Sequence, residues 1–267
     1  MVAASQGGVV SRHQAVKCGL SNIDVDTRLR RGEFRSLWPN VLLVDADLFD
    51  ELTWLTQAHA ALLLHGPTAV LALGAAARVL GIAGADTNPS IVEVVLPPGS
   101  ERHQSPGIEL HFWDVNPQDL VKVDGLVATS PTRTLADLAL TVPRNRAVAA
   151  MDSALNKGLL TPADLVRAQQ LTRKRRNCVL ADEWWKLADG RAESPLETWC
   201  RLDCADAGVA PDELQWNVVD QYGTFIGRGD MAWRKRKRPL VGEADGVDPH
   251  SQPAALFSVT LNVPAAL

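Results

Sequence analysis

Residues 229–246 constrain the fold of this chain most, because they read as a β-hairpin that carries three carboxylates. Two apolar runs flank a basic, proline-ended turn from Arg234 to Pro239. A hairpin loop of about six residues lies at the long end of the usual range. If the turn spans those residues, Trp233 faces Leu240 on the neighbouring strand. The stretch therefore predicts two antiparallel strands with a defined register.

Counting back along this hairpin places Asp230 opposite Glu243, and Asp245 on the same face as Glu243 because strand side chains alternate. Opposed residues have Cβ atoms about 4.5–5.5 Å apart. Two unscreened charges about 5 Å apart repel by roughly 3 kcal/mol at an effective dielectric constant of about 20. The carboxylates therefore predict either a hard divalent cation such as Mg²⁺, which prefers oxygen ligands, or a solvated edge. On a solvated edge, water and Arg228 or the basic turn would neutralise the charge.

The overall composition is that of an ordinary globular protein. The chain has 267 residues, enough for one large domain or two to three small ones. Its apolar fraction is 46% and its charged fraction 22%, which excludes a disordered chain. The net charge is −4, so any contact with nucleic acid must come from local basic patches.

Neither zinc nor a membrane span is expected. The four cysteines stand outside any CxxC or Cys/His ligand spacing. The first ten residues lack the basic start and apolar core of a signal peptide. The most apolar region, residues 58–84, is too interrupted to cross a bilayer. Its interruptions are His65, Gly66, Pro67 and Arg78. We expect a cytoplasmic, reduced protein with no membrane partner.

Residues 11–46 predict a winged helix-turn-helix. Ser11 with Gln14 forms a capping box for a first helix, and Ser21 with Asp24 caps a second helix after a short turn. An extended run and the apolar strand 41–44 then form a β-wing. An α+β fold class follows, in which this winged helix precedes a middle α/β segment.

The charge of the predicted winged helix suits DNA. Residues 11–40 hold six basic residues against three acidic ones. Side chains that suit base edges are Asn22, Thr27 and Arg28, and side chains that suit phosphates are Arg31 and Arg35. Against this, Asp24 and Asp26 lie on the same predicted recognition helix and would repel the DNA backbone. The alternative is a protein-docking module with a solvated face.

The middle region, residues 47–170, predicts helices over 48–65 and 69–80, strands over 91–96, 108–113 and 121–127, and further helices to residue 170. The helix that opens at Ser130 carries Arg133 and Asp137 at i,i+4, which we interpret as an exposed, structural ion pair. Residues 171–191 read as a basic linker, either solvated or in contact with phosphate. We find no catalytic constellation in this region.

Two segments resemble the AbiEi-type antitoxin family. The first is the pattern Leu20-Ser21, Val25, Leu29, Gly32, Phe34, Pro39 and Val41, and the second is the run from Ser130 to Leu138. The resemblance implies a winged helix that binds operator DNA, and a cognate toxin as a protein partner.

Residues 192–246 predict a second domain. Ser194, Pro195 and Glu197 give a strong helix start, with serine as the cap and proline at the first helical position. Strands over 214–219, 224–233 and 240–245 follow. A helix and then an antiparallel meander that carries Asp and Glu is the opening half of a restriction-endonuclease-like α/β core.

This second domain resembles the nuclease-like domain related to very-short-patch repair endonucleases. The resemblance implies that Asp230 and Glu243 bind Mg²⁺, that Asp245 occupies a position usually given to lysine, and that Glu197 adds a carboxylate. For Glu197, helix capping is a sufficient role by itself. The implied chemistry is metal-assisted phosphodiester hydrolysis.

Two departures from the nuclease pattern predict an inactive domain. No lysine accompanies Glu243, and the irregular tail 247–267 lacks the further strand and covering helix that the fold needs. We therefore expect an incomplete core. The main hypothesis is a DNA-binding, antitoxin-like protein that acts as a transcriptional regulator and carries an inactive nuclease-fold domain. The alternatives are a Mg²⁺-dependent DNA endonuclease and a toxin-neutralising interaction protein.

Overall fold

The computed structural model describes residues 2–44, 52–85, 88, 90–101, 105–245 and 258–259. The fold is a mixed α+β fold with several sheets, and its internal contacts divide the chain into two units. Unit 1 comprises residues 1–81 and 86–137, and unit 2 comprises residues 82–85 and 138–267. No helix of the described residues is both long and apolar enough to cross a membrane. The predicted domain boundaries at 46, 170, 191 and 246 are not tested by this division and stay predictions.

The N-terminal part of unit 1 is a small sheet with two short helices. Its elements are a 3-10 helix at Ala3–Gln6, β1 at Val9–Ser11, α1 at Arg12–Lys17, α2 at Asn22–Arg30, β2 at Arg35–Trp38 and β3 at Val41–Leu43. The strands are antiparallel in the order β1-β3-β2. Both predicted helix starts are confirmed, because Ser11 and Ser21 each accept a hydrogen bond from the third helical residue within a complete capping box.

The rest of unit 1 is built on a five-stranded sheet. The elements are α3 at Trp54–His65, β4 at Val70–Leu71, α4 at Leu73–Leu80, β5 at Val92–Leu96, β6 at Ile108–Phe112, a 3-10 helix at Pro117–Asp119, β7 at Leu120–Val123 and β8 at Leu126–Thr129. The strand order is β6-β5-β4-β8-β7. Only the β5–β6 and β4–β8 pairs of this sheet are parallel. One face of the sheet buries Leu71, Val94 and Leu126 against small residues of α3 and α4.

Two predictions for this region differ from the structure, and a third is confirmed over its described part. The predicted helix over 69–80 begins as strand β4, because Val70 and Leu71 pair with β5. The single predicted strand over 121–127 is a hairpin, since Asp124 and Gly125 turn the chain at φ of 48° and 83°. The predicted helix over 48–65 is confirmed from Trp54 onward, and its predicted start lies outside the described residues.

Helix α5, Pro131–Thr141, contains the boundary at which unit 1 gives way to unit 2. Unit 2 continues with α6 at Arg144–Asn156, α7 at Pro162–Thr172, α8 at Cys178–Ala181, a 3-10 helix at Trp184–Leu187 and α9 at Pro195–Asp206. Its strands are β9 at Glu213–Val219, β10 at Phe225–Trp233, β11 at Leu240–Gly242, β12 at Ala244–Asp245 and β13 at Ser258–Val259. Strands β9, β10 and β11 form an antiparallel sheet, and β12 pairs with β13.

The hairpin of β10 and β11 has the predicted register, with Trp233 opposite Leu240. The backbone N–H groups of Arg234 and Lys235 donate to the carboxylate of Asp212, each at 3.0 Å, which stabilises the start of the basic turn. Trp233 also donates its indole N–H to the carbonyl of Val209 at 2.6 Å. The end of β10 and the basic turn are therefore tied to the segment that leads into β9.

Candidate functional site

Helix α2 packs one side against the protein, since Val25 is fully buried and Thr27, Arg28 and Leu29 are half-buried. The other residues of α2 are exposed. Its start is held by Ser21, whose N–H and hydroxyl donate to Asp24 at 2.8 and 2.6 Å. These hydrogen bonds lower the pKa of the Asp24 carboxyl. The charge of Asp24 is therefore engaged at the helix N-terminus, where a carboxylate is favourable.

The other two acidic residues of this region are paired with arginines. Asp26 accepts from Arg12 at 2.8 Å. Glu33 lies 3.3 Å from Arg28 and 3.8 Å from Arg31. Both carboxylates are thus paired with an arginine of the same region. The pairing of Asp26 lowers the repulsion that its charge would exert on a DNA backbone.

Four of the five predicted DNA-contact residues lie on α2 or at its C-terminal cap, and the fifth lies on strand β2. Asn22 opens the helix and is exposed. Thr27 accepts from Arg30 at 3.0 Å, and the guanidinium of Arg28 lies 5.5 Å from the ring centroid of Phe34. The Arg31 side chain is 70% exposed. The fifth residue, Arg35, is exposed at the start of β2. Their role in DNA binding stays a prediction.

The predicted nuclease residues have structural partners. Glu197 accepts from the N–H of Glu193 at 2.9 Å and from the side-chain amide of Gln215 at 2.8 Å, close to the helix start that Ser194 caps. Asp230 accepts from the N–H of Ala244 at 2.8 Å. A capping role for Glu197 is consistent with these contacts.

The predicted opposition of Asp230 and Glu243 falls just past the end of the ladder, because the β10–β11 pairing stops at Met231 and Gly242. Glu243 is exposed between β11 and β12, and Asp245 belongs to β12. Among the described residues, no group of three ligand atoms within metal-binding distance includes Glu197, Asp230 or Glu243. The Mg²⁺ site and the catalytic assignment stay predictions from resemblance, and we derive no hydrolytic step through these residues.

Sequence reasoning missed how deeply Arg133 and Asp137 are buried. They were predicted as an exposed ion pair, but Arg133 is 8% exposed and Asp137 is 0% exposed. Arg133 also donates to the carbonyl of Asp114 at 3.3 Å and lies 3.9 Å from Asp119. The prediction was wrong because the loop between β6 and β7 covers this side of α5, which no local pattern indicates.

Sequence reasoning also missed a polar group on the five-stranded sheet. Glu93, Glu109 and His111 have ligand atoms that all lie within 4.8 Å of one another. The signal was present as charged or imidazole side chains inside the apolar strands Val92–Leu96 and Ile108–Phe112. It was not interpretable without knowing that these two strands are neighbours.

A buried acid forms a further polar centre in unit 2. Asp152 on α6 is 1% exposed and accepts from Thr198 at 2.8 Å, Arg201 at 2.8 Å and the N–H of Asp189 at 2.7 Å. Burial raises the pKa of Asp152 to about 6, against the opposing effect of Arg201. These contacts join α6 to α9 and to the segment before it, so we assign them to the stability of unit 2.

Comparison with known proteins relates this chain to a protein family. Residues 68–183 match the family model described as the AbiEi antitoxin C-terminal domain. Two proteins of Mycobacterium tuberculosis, the uncharacterized proteins MT2308 and Rv2248, are each 30% identical to this chain over 234 residues. The alignment covers 87% of this chain and 81% of each relative.

Among solved structures, the crystal structure of the RV2827C protein from Mycobacterium tuberculosis matches with a TM-score of 0.35 at 16% identity. This match covers 70% of the present chain and 79% of that chain. A score this low does not establish a shared fold.

Proposed function

This chain belongs to the same family as the mycobacterial protein Rv2248 and carries an AbiEi antitoxin C-terminal domain, and from that premise we propose that it is a DNA-binding antitoxin. Residues 2–44 would bind DNA as a winged helix-turn-helix. The domain at residues 68–183 would act with a cognate toxin protein, which is the second expected partner.

The observation that carries the proposal is the order of elements β1, α1, α2, β2 and β3 around an antiparallel sheet. In a helix-turn-helix the second helix enters the major groove, and in a winged version the following hairpin lies beside it. Helix α2 suits that role because five of its nine residues are exposed to solvent. The hairpin of β2 and β3 follows α2 after only a short turn.

The distribution of charge supports the same surface. Two exposed arginines, Arg30 and Arg31, close α2, and exposed Arg35 begins the hairpin. Asp26 is paired to Arg12. The C-terminal end of α2, which carries the two arginines, is therefore the part that would face a phosphate backbone. Phosphate contacts of this kind supply affinity, while Asn22 and Thr27 at earlier positions of the helix would read base edges.

The test is a titration of labelled duplex DNA from upstream of the gene, followed by fluorescence anisotropy at several salt concentrations. Each phosphate contact contributes about 0.9 to the slope of log K against log salt. The double variant Arg28→Ala, Arg31→Ala should weaken binding and reduce that slope by about 1–2.

A matched control removes two arginines from another part of the chain, so that its net charge equals that of the α2 variant. Arg236→Ala with Arg238→Ala removes two exposed arginines from the turn of unit 2 and should leave affinity and slope unchanged. If the control lowered the slope as much as the α2 variant, or if the α2 variant matched the unmodified protein, the assignment of the DNA surface would be wrong.

A further inference from the structure

We propose that Glu93, Glu109 and His111 form a binding site for a divalent transition-metal ion, with Zn²⁺ as the representative ion. The site would lie on the five-stranded sheet of unit 1, on strands β5 and β6. It is separate from helix α2 and does not depend on the proposed DNA binding.

The strand register brings the three residues together. In the parallel β5–β6 pair, Glu93 stands directly opposite Glu109, and Val95 stands opposite His111. Glu109 and His111 are two residues apart on β6, so their side chains lie on the same face of the sheet. Like charges directly opposite each other destabilise a sheet, and a bound cation would reverse that effect for Glu93 and Glu109.

The distances suit one metal ion. Glu109 Oε1 and His111 Nε2 are 3.7 Å apart, which is too long for a hydrogen bond. Two ligands of a tetrahedral ion with bonds of about 2.1 Å are separated by about 3.4 Å. These two atoms are therefore close to the required separation, and all three ligand atoms lie within 4.8 Å of one another. Small side-chain rotations complete the set.

The imidazole of His111 supplies an independent indication of a ligand. The side chain is 18% exposed, and its Nε2 atom is buried and has no hydrogen-bond partner among the described residues. A buried polar atom without a partner requires an explanation. Trp113 packs against the ring with centroids 5.1 Å apart and limits its rotation.

Glu93 is oriented by the backbone. Its Oε2 atom accepts the N–H of Ala75 at 3.0 Å, within the first turn of α4, and its carbonyl accepts the N–H of Ala72. Outer hydrogen bonds of this kind fix the direction of a ligating carboxylate and contribute to metal affinity. Glu93 is therefore held in position before an ion arrives.

Glu109 provides access from solvent. Its side chain is 56% exposed. An ion could reach the site through this open side. Two carboxylates and one imidazole leave a coordination position for water or for a further ligand, as in zinc sites with three protein ligands. The nitrogen ligand favours a transition-metal ion over Mg²⁺ or Ca²⁺.

The test is a calorimetric titration of Zn²⁺ into the full chain after removal of metals by a chelator. We expect one site that involves the cluster, and at least about tenfold weaker binding in Glu109→Gln and in His111→Gln. Zn²⁺ should also raise the melting temperature of the unmodified protein and not that of Glu109→Gln. Because Glu109 is mostly exposed, its substitution by glutamine should leave the metal-free fold intact, as circular dichroism would check.

Two controls separate the cluster from other ligands. His13→Gln and Cys18→Ser replace exposed side chains outside the sheet and should bind Zn²⁺ like the unmodified protein. Cobalt bound in place of zinc should show absorption typical of nitrogen and oxygen ligands, without a thiolate charge-transfer band. Equal affinity in the unmodified protein, Glu109→Gln and His111→Gln would overturn the proposal, and so would loss of the site in Cys18→Ser. Either result would leave Glu109 and His111 as an ordinary ion pair.

Discussion

Arg133 donates its Nε–H to both carboxylate oxygens of Asp137, at 3.0 and 2.9 Å, and both residues are buried. The same guanidinium donates to the carbonyl of Asp114 and faces Asp119. One arginine thus joins helix α5 to the loop between β6 and β7. This contact lies inside the AbiEi antitoxin domain match.

Asp137→Ala should destabilise the protein strongly. Removing one partner of a buried ion pair leaves the other charge uncompensated, at a typical cost of about 3–5 kcal/mol. The midpoint of urea unfolding, followed by tryptophan fluorescence, measures the effect. Glu183→Ala is the control, because its pair with Lys186 is fully exposed and should contribute nothing measurable. Equal midpoints for the two variants would contradict a structural role for the Arg133–Asp137 pair.

Asp152 should make the stability of unit 2 depend on pH. Its folded-state pKa of about 6 lies above the unfolded value of 3.8, so between these values the folded state retains a proton that the unfolded state has lost. Stability relative to Asp152→Asn should therefore fall as pH rises from about 4 to 6, by about 3 kcal/mol, and then level off.

Paired urea titrations of the unmodified protein and Asp152→Asn between pH 4 and 8 check this slope. The difference between the two proteins isolates Asp152 from the other carboxyl groups. A difference that is constant across this range, or one that increases with pH, would show that burial does not dominate over Arg201 at this carboxyl.

Ser21→Ala should weaken α2 and, through it, DNA binding. The Ser21 hydroxyl accepts the N–H of Asp24 at 3.1 Å, and loss of such a cap typically costs about 1 kcal/mol. Hydrogen exchange of the α2 amides should become faster, and affinity for DNA should fall while the salt slope remains. Ser11→Ala removes the corresponding cap of α1 and is the matched control, since α1 carries none of the predicted base contacts. If only Ser11→Ala affected DNA binding, α2 would not be the recognition helix.

The success of sequence reasoning depended on how local each signal is. Ser11, Ser21 and Ser194 each cap a helix as predicted, because a capping residue and its partner lie within one turn. The register of Trp233 with Leu240 was also predictable, since only the turn from Arg234 to Pro239 separates them in the sequence. Strand β4 could not be predicted, because its two residues are strand only through their partners on β5 and β8.

The candidate sites also differ in how local their sequence signals are. The predicted DNA contacts were taken from a short run of sequence around α2, and their role stays a prediction. The opposition of Glu93 and Glu109 depends on a parallel register between strands that the sequence does not join locally. The turn at Asp124 and Gly125 lies inside the apolar run 121–127, whose apolar residues predicted one continuous strand.

Asp230→Asn and Asp230→Ala should separate a structural role from metal binding. The carboxylate accepts the N–H of Ala244, and asparagine retains an acceptor oxygen for this bond, whereas alanine leaves the donor without it. We expect a lower melting temperature for Asp230→Ala and little change for Asp230→Asn, corresponding to about 1–3 kcal/mol for the lost partner. Nicking of plasmid DNA with Mg²⁺, present in the unmodified protein and lost in both variants, would instead establish the nuclease alternative.

Gly84→Ala should destabilise unit 2 more than a comparable glycine substitution elsewhere. Gly84 has a φ of +85°, and a Cβ added there would lie 2.7 Å from Cβ of Ala149 and 3.3 Å from its carbonyl carbon. Ala149 is buried in α6 and cannot move without displacing the helix. Strain at positive φ and overpacking therefore add, and overpacking alone typically costs about 1–3 kcal/mol.

Gly208→Ala isolates the contribution of backbone strain to this effect. Gly208 has a φ of +72°, but an added Cβ would meet nothing within 4 Å. Its substitution should cost about 1 kcal/mol, the usual difference between alanine and glycine at positive φ. The expected order of unfolding midpoints is therefore the unmodified protein, Gly208→Ala and then Gly84→Ala. Equal midpoints for the two variants would mean that α6 shifts freely away from Gly84, and that the packing of residues 82–85 against this helix contributes little to unit 2.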